Sequence, residues 1–118
     1  MPLIHEFGII NDISDINNEE FRYSYTPELY NCTSINDDIV QNLIKPLSIM
    51  NTYFLSLNRP ELGLAYWGKT IIPPKSLPLF LEVIKTSKNM KQSNAINDLC
   101  KKVIQAIEEN KYMIHFGV

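Results

Sequence analysis

The chain has 118 residues and a mass of 13.6 kDa, which is the size of one ordinary domain and argues against a cofactor domain joined to a substrate domain. Its 45% hydrophobic and 20% charged residues are typical of a globular protein and exclude a disordered or collagen-like chain. The apolar run over 77–84 is interrupted by Pro78 and Glu82 and is far shorter than the roughly 20 residues that cross a bilayer. We therefore expect one domain over residues 1–118 that does not enter a membrane.

The net charge of −2 conceals a division between the two parts of the chain. Residues 1–40 carry eight acidic groups and one basic group, a net charge of −7, whereas residues 41–118 carry ten basic and five acidic groups, a net charge of +5. An acidic segment attracts basic protein surfaces and repels phosphate. The first part of the chain therefore favours a basic protein partner and argues against nucleic acid.

The N-terminal part is predicted to contain two extended segments and a helix. The apolar run over 4–10 predicts a strand, and the alternation of aromatic and polar residues over 21–25 predicts a brief extended segment. Asn36 is the expected N-cap of a short helix, because two acidic residues follow it where they favour the positive end of the helix dipole. The apolar face of that helix ends at Pro46.

The middle of the chain is predicted to form short strands connected by turns. The residues over 52–57 and 64–67 are rich in apolar and strand-forming types, and the segment 58–63 between them has the composition of a turn. A third strand is expected over 70–72, before two consecutive prolines. This order predicts a hairpin that continues as a meander.

Two helices and a final strand are predicted in the C-terminal part. Ser76 and Ser93 are the expected N-caps, and the residues over 111–118 alternate as in a strand. The second helix has the clearest apolar stripe of the chain, which consists of Ile96, Leu99, Cys100, Val103, Ile104 and Ile107. Because strands precede and follow the helices without regular alternation, we expect an α+β fold, with an antiparallel sheet and helices packed on one face.

The two histidines, His5 and His115, lie on the predicted terminal strands. If these strands pair, one imidazole could act as a base and the other as an acid in phosphodiester cleavage, with Lys111 stabilising the developing charge. The commoner interpretation of such residues is that each is a half-exposed strand residue without a catalytic role.

No metal or cofactor is expected. Cys32 and Cys100 lack the spacing of a zinc site and fit reduced thiols in a cytoplasmic protein, and the N-terminus lacks the basic and apolar regions of a secretory signal. Neither the GxGxxG nor the GxxxxGK[ST] loop of nucleotide-binding proteins is present. For the single tryptophan, Trp67, packing in the core is favoured over exposure as an interface anchor.

Five segments spread over nearly the whole chain carry a resemblance to known proteins: 4–10, 30–32, 57–61, 72–74 and 110–117. In these segments the chain resembles small bacterial immunity proteins of polymorphic or contact-dependent toxin systems. The resemblance implies tight binding of one toxin domain inside the producing cell. Since these families share no catalytic motif, it assigns no functional residue.

The leading hypothesis is a non-enzymatic immunity protein that occludes the basic active site of a nuclease-type toxin domain. The alternatives are a small phosphodiesterase or nuclease-like enzyme that uses His5 and His115, and a regulatory or scaffold subunit. The expected partner-binding residues are Asp12, Asp15, Glu19, Glu20, Glu28, Asp37 and Asp38, with Tyr23, Tyr25 and Tyr30 as aromatic anchors.

Overall fold

A computed structural model of the chain describes residues 3–14, 27–55, 57–86 and 94–117. The strands of this part are β1 (Ile4–Ile10), β2 (Thr33–Asn36), β3 (Asn51–Phe54), β4 (Pro60–Leu62), β5 (Lys69–Ile72) and β6 (Tyr112–Phe116). Its α-helices are α1 (Asp37–Ile44), α2 (Leu77–Thr86) and α3 (Asn94–Glu109). None of these helices combines the length and the apolar character that a membrane crossing needs.

The strands form one antiparallel sheet in the order β2-β1-β6-β5-β3-β4. β1 and β6 are neighbours in the middle of the sheet, with Phe7 opposite His115. Thr70 of β5 is also opposite His115 on the other side of β6. The fold is α+β, as the sequence predicts. The strand order places β1 beside β6 and so brings residues from both ends of the chain side by side.

The main core lies between one face of the sheet and the three helices. Phe7, Ile72 and Met113 contribute from the strands, together with apolar residues from each helix. The predicted stripe of α3 is largely confirmed, since Ile96, Leu99, Cys100 and Val103 are buried, and Ala106 is buried in addition. Ile104 of that stripe is exposed, and Ile107 is half-buried.

The opposite face of the sheet carries a second, smaller apolar cluster. Its buried members are Ile10, Tyr30, Ile71, Ile114 and Phe116. Consecutive residues of β6 therefore point into different clusters, and this strand is buried on both faces.

The predicted meander in the middle of the chain is wrong. β3 pairs with β4, which lies within the segment predicted to be a turn, whereas residues 64–67 form no strand. The chain turns directly after β3, because Leu55 adopts a φ of 66° and the amide of Phe54 donates to the carbonyl of Arg59. Pro60 fits the first position of an edge strand, where its missing N–H leaves no ladder bond unmade. β5 then pairs with β3 rather than with β4.

Two further predictions have different outcomes. α1 begins directly after Asn36, as expected, but the side chain of Asn36 makes no capping hydrogen bond. The extended segment over 21–25 and the N-cap Ser93 lie outside the described residues.

Candidate functional site

The structure brings the two histidines into direct contact. His5 and His115 are diagonal neighbours on the helix-covered face of β1 and β6, and Nδ1 of His5 lies 2.8 Å from Nε2 of His115. Their rings stack with 5.0 Å between centroids and an interplanar angle of 12°. Both side chains are completely buried. The predicted pairing of the terminal strands is thus confirmed, and the interpretation of two half-exposed residues is wrong.

Asp37 accepts a hydrogen bond from His5, on the side of the His5 ring that faces away from His115. The amide of Asp37 donates to the carbonyl of Leu3 at 3.0 Å, beyond the last pair of the β1–β2 ladder, and this places the first residue of α1 beside His5. Oδ1 of Asp37 lies 2.8 Å from Nε2 of His5, and Oδ2 accepts a hydrogen bond from Nε2 of Gln41 at 2.6 Å. The hydroxyl of Tyr66 donates to the same carboxylate.

The hydrogen bonds that Asp37 accepts keep its carboxylate ionised. The bond from His5 has the largest effect and, with those from Tyr66 and Gln41, holds the pKa of Asp37 below its usual value although burial opposes this. The same carboxylate raises the pKa of the Tyr66 hydroxyl, mainly through their hydrogen bond. Tyr66 therefore remains the donor and Asp37 the acceptor.

Thr70 contacts His115 on the side of the histidine pair opposite to Asp37. Its Oγ1 lies 3.2 Å from Nδ1 of His115 and accepts a hydrogen bond from the amide of Ala65 at 2.8 Å. We call Thr70, His115, His5 and Asp37 the histidine relay. It links β5, β6, β1 and α1 to the loop that contains Ala65 and Tyr66.

The ionised carboxylate determines where the hydrogens of the histidine relay lie. Because Asp37 only accepts, Nε2 of His5 carries a hydrogen, and Nδ1 of a neutral His5 must then accept from Nε2 of His115. Nδ1 of His115 accepts in turn from the hydroxyl of Thr70. Burial, and secondarily the charge of His5, lowers the pKa of His115 to about 3, so His115 is neutral near pH 7. Every polar atom along the relay has a partner in this arrangement.

The relay is not accessible to a substrate in this conformation. His5, His115 and Thr70 are each 0% exposed. Lys111, which was expected to support the histidines, lies four residues before His115, or about 13 Å along β6. Its Nζ contacts Oδ1 of Asn11 at 3.0 Å and a carboxylate oxygen of Glu109 at 2.7 Å. In this arrangement the relay holds α1 and the loop over 64–68 against the sheet.

This loop presents Trp67 to solvent. The side chain of Trp67 is 73% exposed, and its ring meets the ring of Tyr66 edge-on with 4.7 Å between centroids. The amide of Gly117 donates to the carbonyl of Gly68 at 2.6 Å, and a Cβ at position 117 would collide with the carbonyl oxygen of Tyr66. The prediction that Trp67 packs in the core is wrong, because residues 64–67 form no strand: Leu64 packs into the main core and Tyr66 reaches Asp37, whereas Trp67 points to solvent.

A surface depression lies beside this loop. It has a volume of about 220 Å³ and is lined by Leu3, Asn36, Asp37 and Asp38. Leu3 is 51% exposed and Asp38 is exposed. Since the hydroxyl of Tyr66 reaches Asp37, the depression and Trp67 belong to the same end of the sheet.

The predicted partner-binding residues do not form one face within the described part of the chain. Asp12, Glu28 and Asp38 are exposed, but Asp12 follows the end of β1 whereas Asp38 lies near its beginning, which separates them by more than about 20 Å. Asp37 is buried in the relay, and its role in partner binding stays a prediction. Tyr30 is also buried, because it packs on Phe116 with 5.9 Å between ring centroids. The remaining candidates, Asp15, Glu19, Glu20, Tyr23 and Tyr25, lie outside the described residues.

Sequence reasoning missed three residues of this site. Tyr66 and Thr70 had no recognisable signal, because neither belongs to a motif with Asp37 or a histidine. Gln41 follows Asp37 at the spacing of four residues that joins side chains on one helix face, so this contact was visible in the sequence.

Comparison of the chain with protein-family models, with curated proteins and with solved structures finds no match. Within the described ranges, no three His, Cys, Asp or Glu side chains are grouped so that they could hold a metal ion.

Proposed function

We propose that this protein is a non-enzymatic binding protein that docks a partner on the end of the sheet around Trp67. We define this Trp67 surface by Trp67 and by Leu3 and Asp38 of the neighbouring depression. The observation that carries the proposal is the exposure of Trp67 on a loop whose flanking residues are hydrogen-bonded to the sheet and to α1. Tryptophan is among the residues most enriched at the energetic centres of protein interfaces, and Trp67 is 73% exposed.

The anchoring of the loop supports a binding role. Tyr66 is bonded to Asp37, Ala65 to Thr70 and Gly68 to Gly117, so the backbone on both sides of Trp67 is held by the sheet and by α1. A side chain on a fixed backbone loses less conformational freedom when it binds. Trp67 is thus preorganised for insertion into a pocket of a partner.

The charges favour a basic partner. Asp38 lies at the rim of the Trp67 surface, and the first 40 residues have a net charge of −7. A carboxylate beside an aromatic anchor attracts a basic protein surface and accelerates association with it. We propose that this partner is a toxin domain and that the protein occludes its basic active site, as the resemblance to immunity proteins implies.

Producing this protein should protect cells that express a toxin domain encoded by the adjacent gene. Protection follows if the bound protein covers the toxin's active site. Growth of the two-plasmid strain measures it, with a strain that lacks this protein as the control. Failure to restore growth, or a neighbouring gene for an enzyme that this protein regulates, would favour the regulatory or scaffold alternative.

Replacing Trp67 with alanine should weaken binding of the purified toxin domain at least about 30-fold, which corresponds to the 2 kcal/mol or more of an interface hot spot. The dissociation constant is measured by calorimetry. Ile49→Ala is the matched control, because Ile49 is 70% exposed but precedes β3 at the end of the sheet opposite to Trp67. Equal affinities of the two variants would contradict the placement of the docking surface.

Reversing the charge of Asp38 should slow association with the same toxin domain. Asp38→Lys places a positive charge at the rim of the Trp67 surface, so the rate constant should fall by about tenfold at low salt, and its salt dependence should flatten. Stopped-flow fluorescence gives the rate. Glu28→Lys changes the net charge equally at an exposed site distant from α1 and serves as the control. If both substitutions slow association equally, the net charge rather than the Trp67 surface guides the partner.

A further inference from the structure

β2 lies at one edge of the described sheet, and some of its backbone groups point away from the sheet. The amide of Asp37 donates to the carbonyl of Leu3 and so continues the β1–β2 ladder. Because hydrogen-bonded positions recur at every second residue of an antiparallel pair, the odd-numbered residues of β2 direct their backbone groups towards β1, whereas Ser34 and Asn36 direct theirs outward. The carbonyl of Asn36 accepts the first hydrogen bond of α1. The amides of Ser34 and Asn36 and the carbonyl of Ser34 have no hydrogen bond to the part of the chain that the structure describes.

β4, at the opposite edge of the described sheet, is protected against an added strand. The amide of Phe54 donates to the carbonyl of Arg59, which sets the alternation of the β3–β4 ladder. Pro60 therefore faces outward, where it has no N–H to donate and its ring obstructs a further strand. β2 contains neither a proline nor a charged side chain, and its outward residues are exposed. Of these two edges, β2 is thus the one that can pair with another strand.

The charges around β2 favour a basic segment over a second copy of this chain. The carboxylate of Glu6 accepts a hydrogen bond from the hydroxyl of Ser34 at 2.7 Å, and the exposed Asp38 follows the end of β2. Basic side chains on an added strand would be attracted by both carboxylates. A second copy would instead bring two segments over 1–40 together, each with a net charge of −7, and like charges repel each other across a strand pair.

The outer edge of β2 is continuous with the Trp67 surface. Asn36 is the last residue of β2, and it lines the same depression as Leu3 and Asp38. A strand that is bonded to the amide of Asn36 therefore lies beside this depression. Since β2 has four residues and offers three outward groups, strand pairing alone makes a small contact, and the insertion of Trp67 belongs to the same interface.

We propose that the partner binds by strand addition, in which an extended, basic segment of the partner pairs with the outer edge of β2. The segment accepts hydrogen bonds from the amides of Ser34 and Asn36 and donates one to the carbonyl of Ser34, whichever direction it runs. Its basic side chains pair with Glu6 and Asp38. The inference rests on the proposed function, because the segment belongs to the toxin domain that docks on the Trp67 surface.

Two substitutions at Asn36 separate the contribution of the backbone from that of the side chain. Asn36 has a φ of −61°, which proline adopts without strain, and its side chain makes no capping hydrogen bond. Asn36→Pro removes the outward amide and places a ring on the edge, so the affinity for the purified toxin domain should fall at least about tenfold. Asn36→Ala keeps the amide and should bind within about threefold of the wild type. Equal affinities of the two variants, with equal circular dichroism, would overturn the proposal.

Amide hydrogen exchange of the wild-type protein, followed by NMR, observes the added strand directly. In the isolated protein the amides of Ser34 and Asn36 should exchange rapidly with solvent. In the complex with the toxin domain both should exchange at least about tenfold more slowly, whereas the amide of Leu62 on β4 should not change. If the complex forms and the amides of Ser34 and Asn36 stay unprotected, strand addition is wrong and docking on the Trp67 surface stands.

The same measurement on the isolated protein at a series of concentrations distinguishes the other possible occupants of the edge. Protection that rises with protein concentration would assign the edge to a second copy of this chain. Protection at every concentration would show that the chain itself covers the edge. Either result would overturn the proposal. If the toxin domain does not bind the wild-type protein, the proposed function is wrong, and strand addition by this partner is wrong with it.

Discussion

Replacing Asp37 with alanine should lower the free energy of unfolding by about 3–5 kcal/mol, the range for removing one partner of a buried charged network. The substitution leaves Nε2 of His5, the hydroxyl of Tyr66 and the amide of Gln41 without their common acceptor. Urea denaturation at pH 7 measures the change. Circular dichroism at zero denaturant establishes whether the variant is folded before the titration begins.

The adjacent residue supplies the control for this prediction. Asp38 also lies in the first turn of α1, so both substitutions remove one acidic group from the positive end of the same helix. The side chain of Asp38 is exposed, and Asp38→Ala should change the free energy of unfolding by less than about 1 kcal/mol. If the two variants lose stability equally, the relay contributes nothing beyond the helix dipole.

Acidification should destabilise the protein well above the pH at which its carboxylates titrate. The folded protein holds the pKa of His115 at about 3, below the ordinary value of 6.5, so the unfolded chain binds one more proton between these values. Stability therefore falls as the pH decreases through 6.5, by about 2–3 kcal/mol at pH 4.5. The lowered pKa of Asp37 adds a loss of the same sign below its usual value of 3.8. Urea denaturation at a series of pH values gives the slope.

His115→Gln distinguishes this linkage from general acid denaturation. The variant has no imidazole to charge at position 115, so its stability should be nearly constant between pH 7 and pH 4.5, whatever its absolute value. If the free energy of unfolding of the variant falls with decreasing pH as steeply as that of the wild type, other groups cause the pH dependence.

The elements that the sequence predicted well are those with a strong local pattern. β1, α2, α3 and β6 follow from apolar periodicity, and the beginning of α1 follows from the polar residues at 36–38. β4 has only three residues, all exposed, and begins with Pro60, so it carries no periodic signal. Its position in the sheet depends on the turn at Leu55, whose left-handed backbone conformation no sequence rule for leucine would suggest.

The candidate site was predictable only in part. Contact between His5 and His115 followed from the idea that the terminal strands pair. The inward direction of Asp37 did not, because an acidic residue in a first helical turn ordinarily faces solvent and only the β2–β1 register brings this one to His5. The exposure of Trp67 and the burial of Tyr30 likewise depend on contacts between residues that are distant in the chain.

The position of β6 has a consequence for synthesis. Strands β2 and β1 form one half of the sheet and β5, β3 and β4 the other, and β6 is what joins them. Residues 112–116 leave the ribosome after all the other described strands, so until then two separate half-sheets expose unpaired edges to solvent or to a chaperone. A polypeptide that stops before residue 112 would keep both edges open and should aggregate or be degraded.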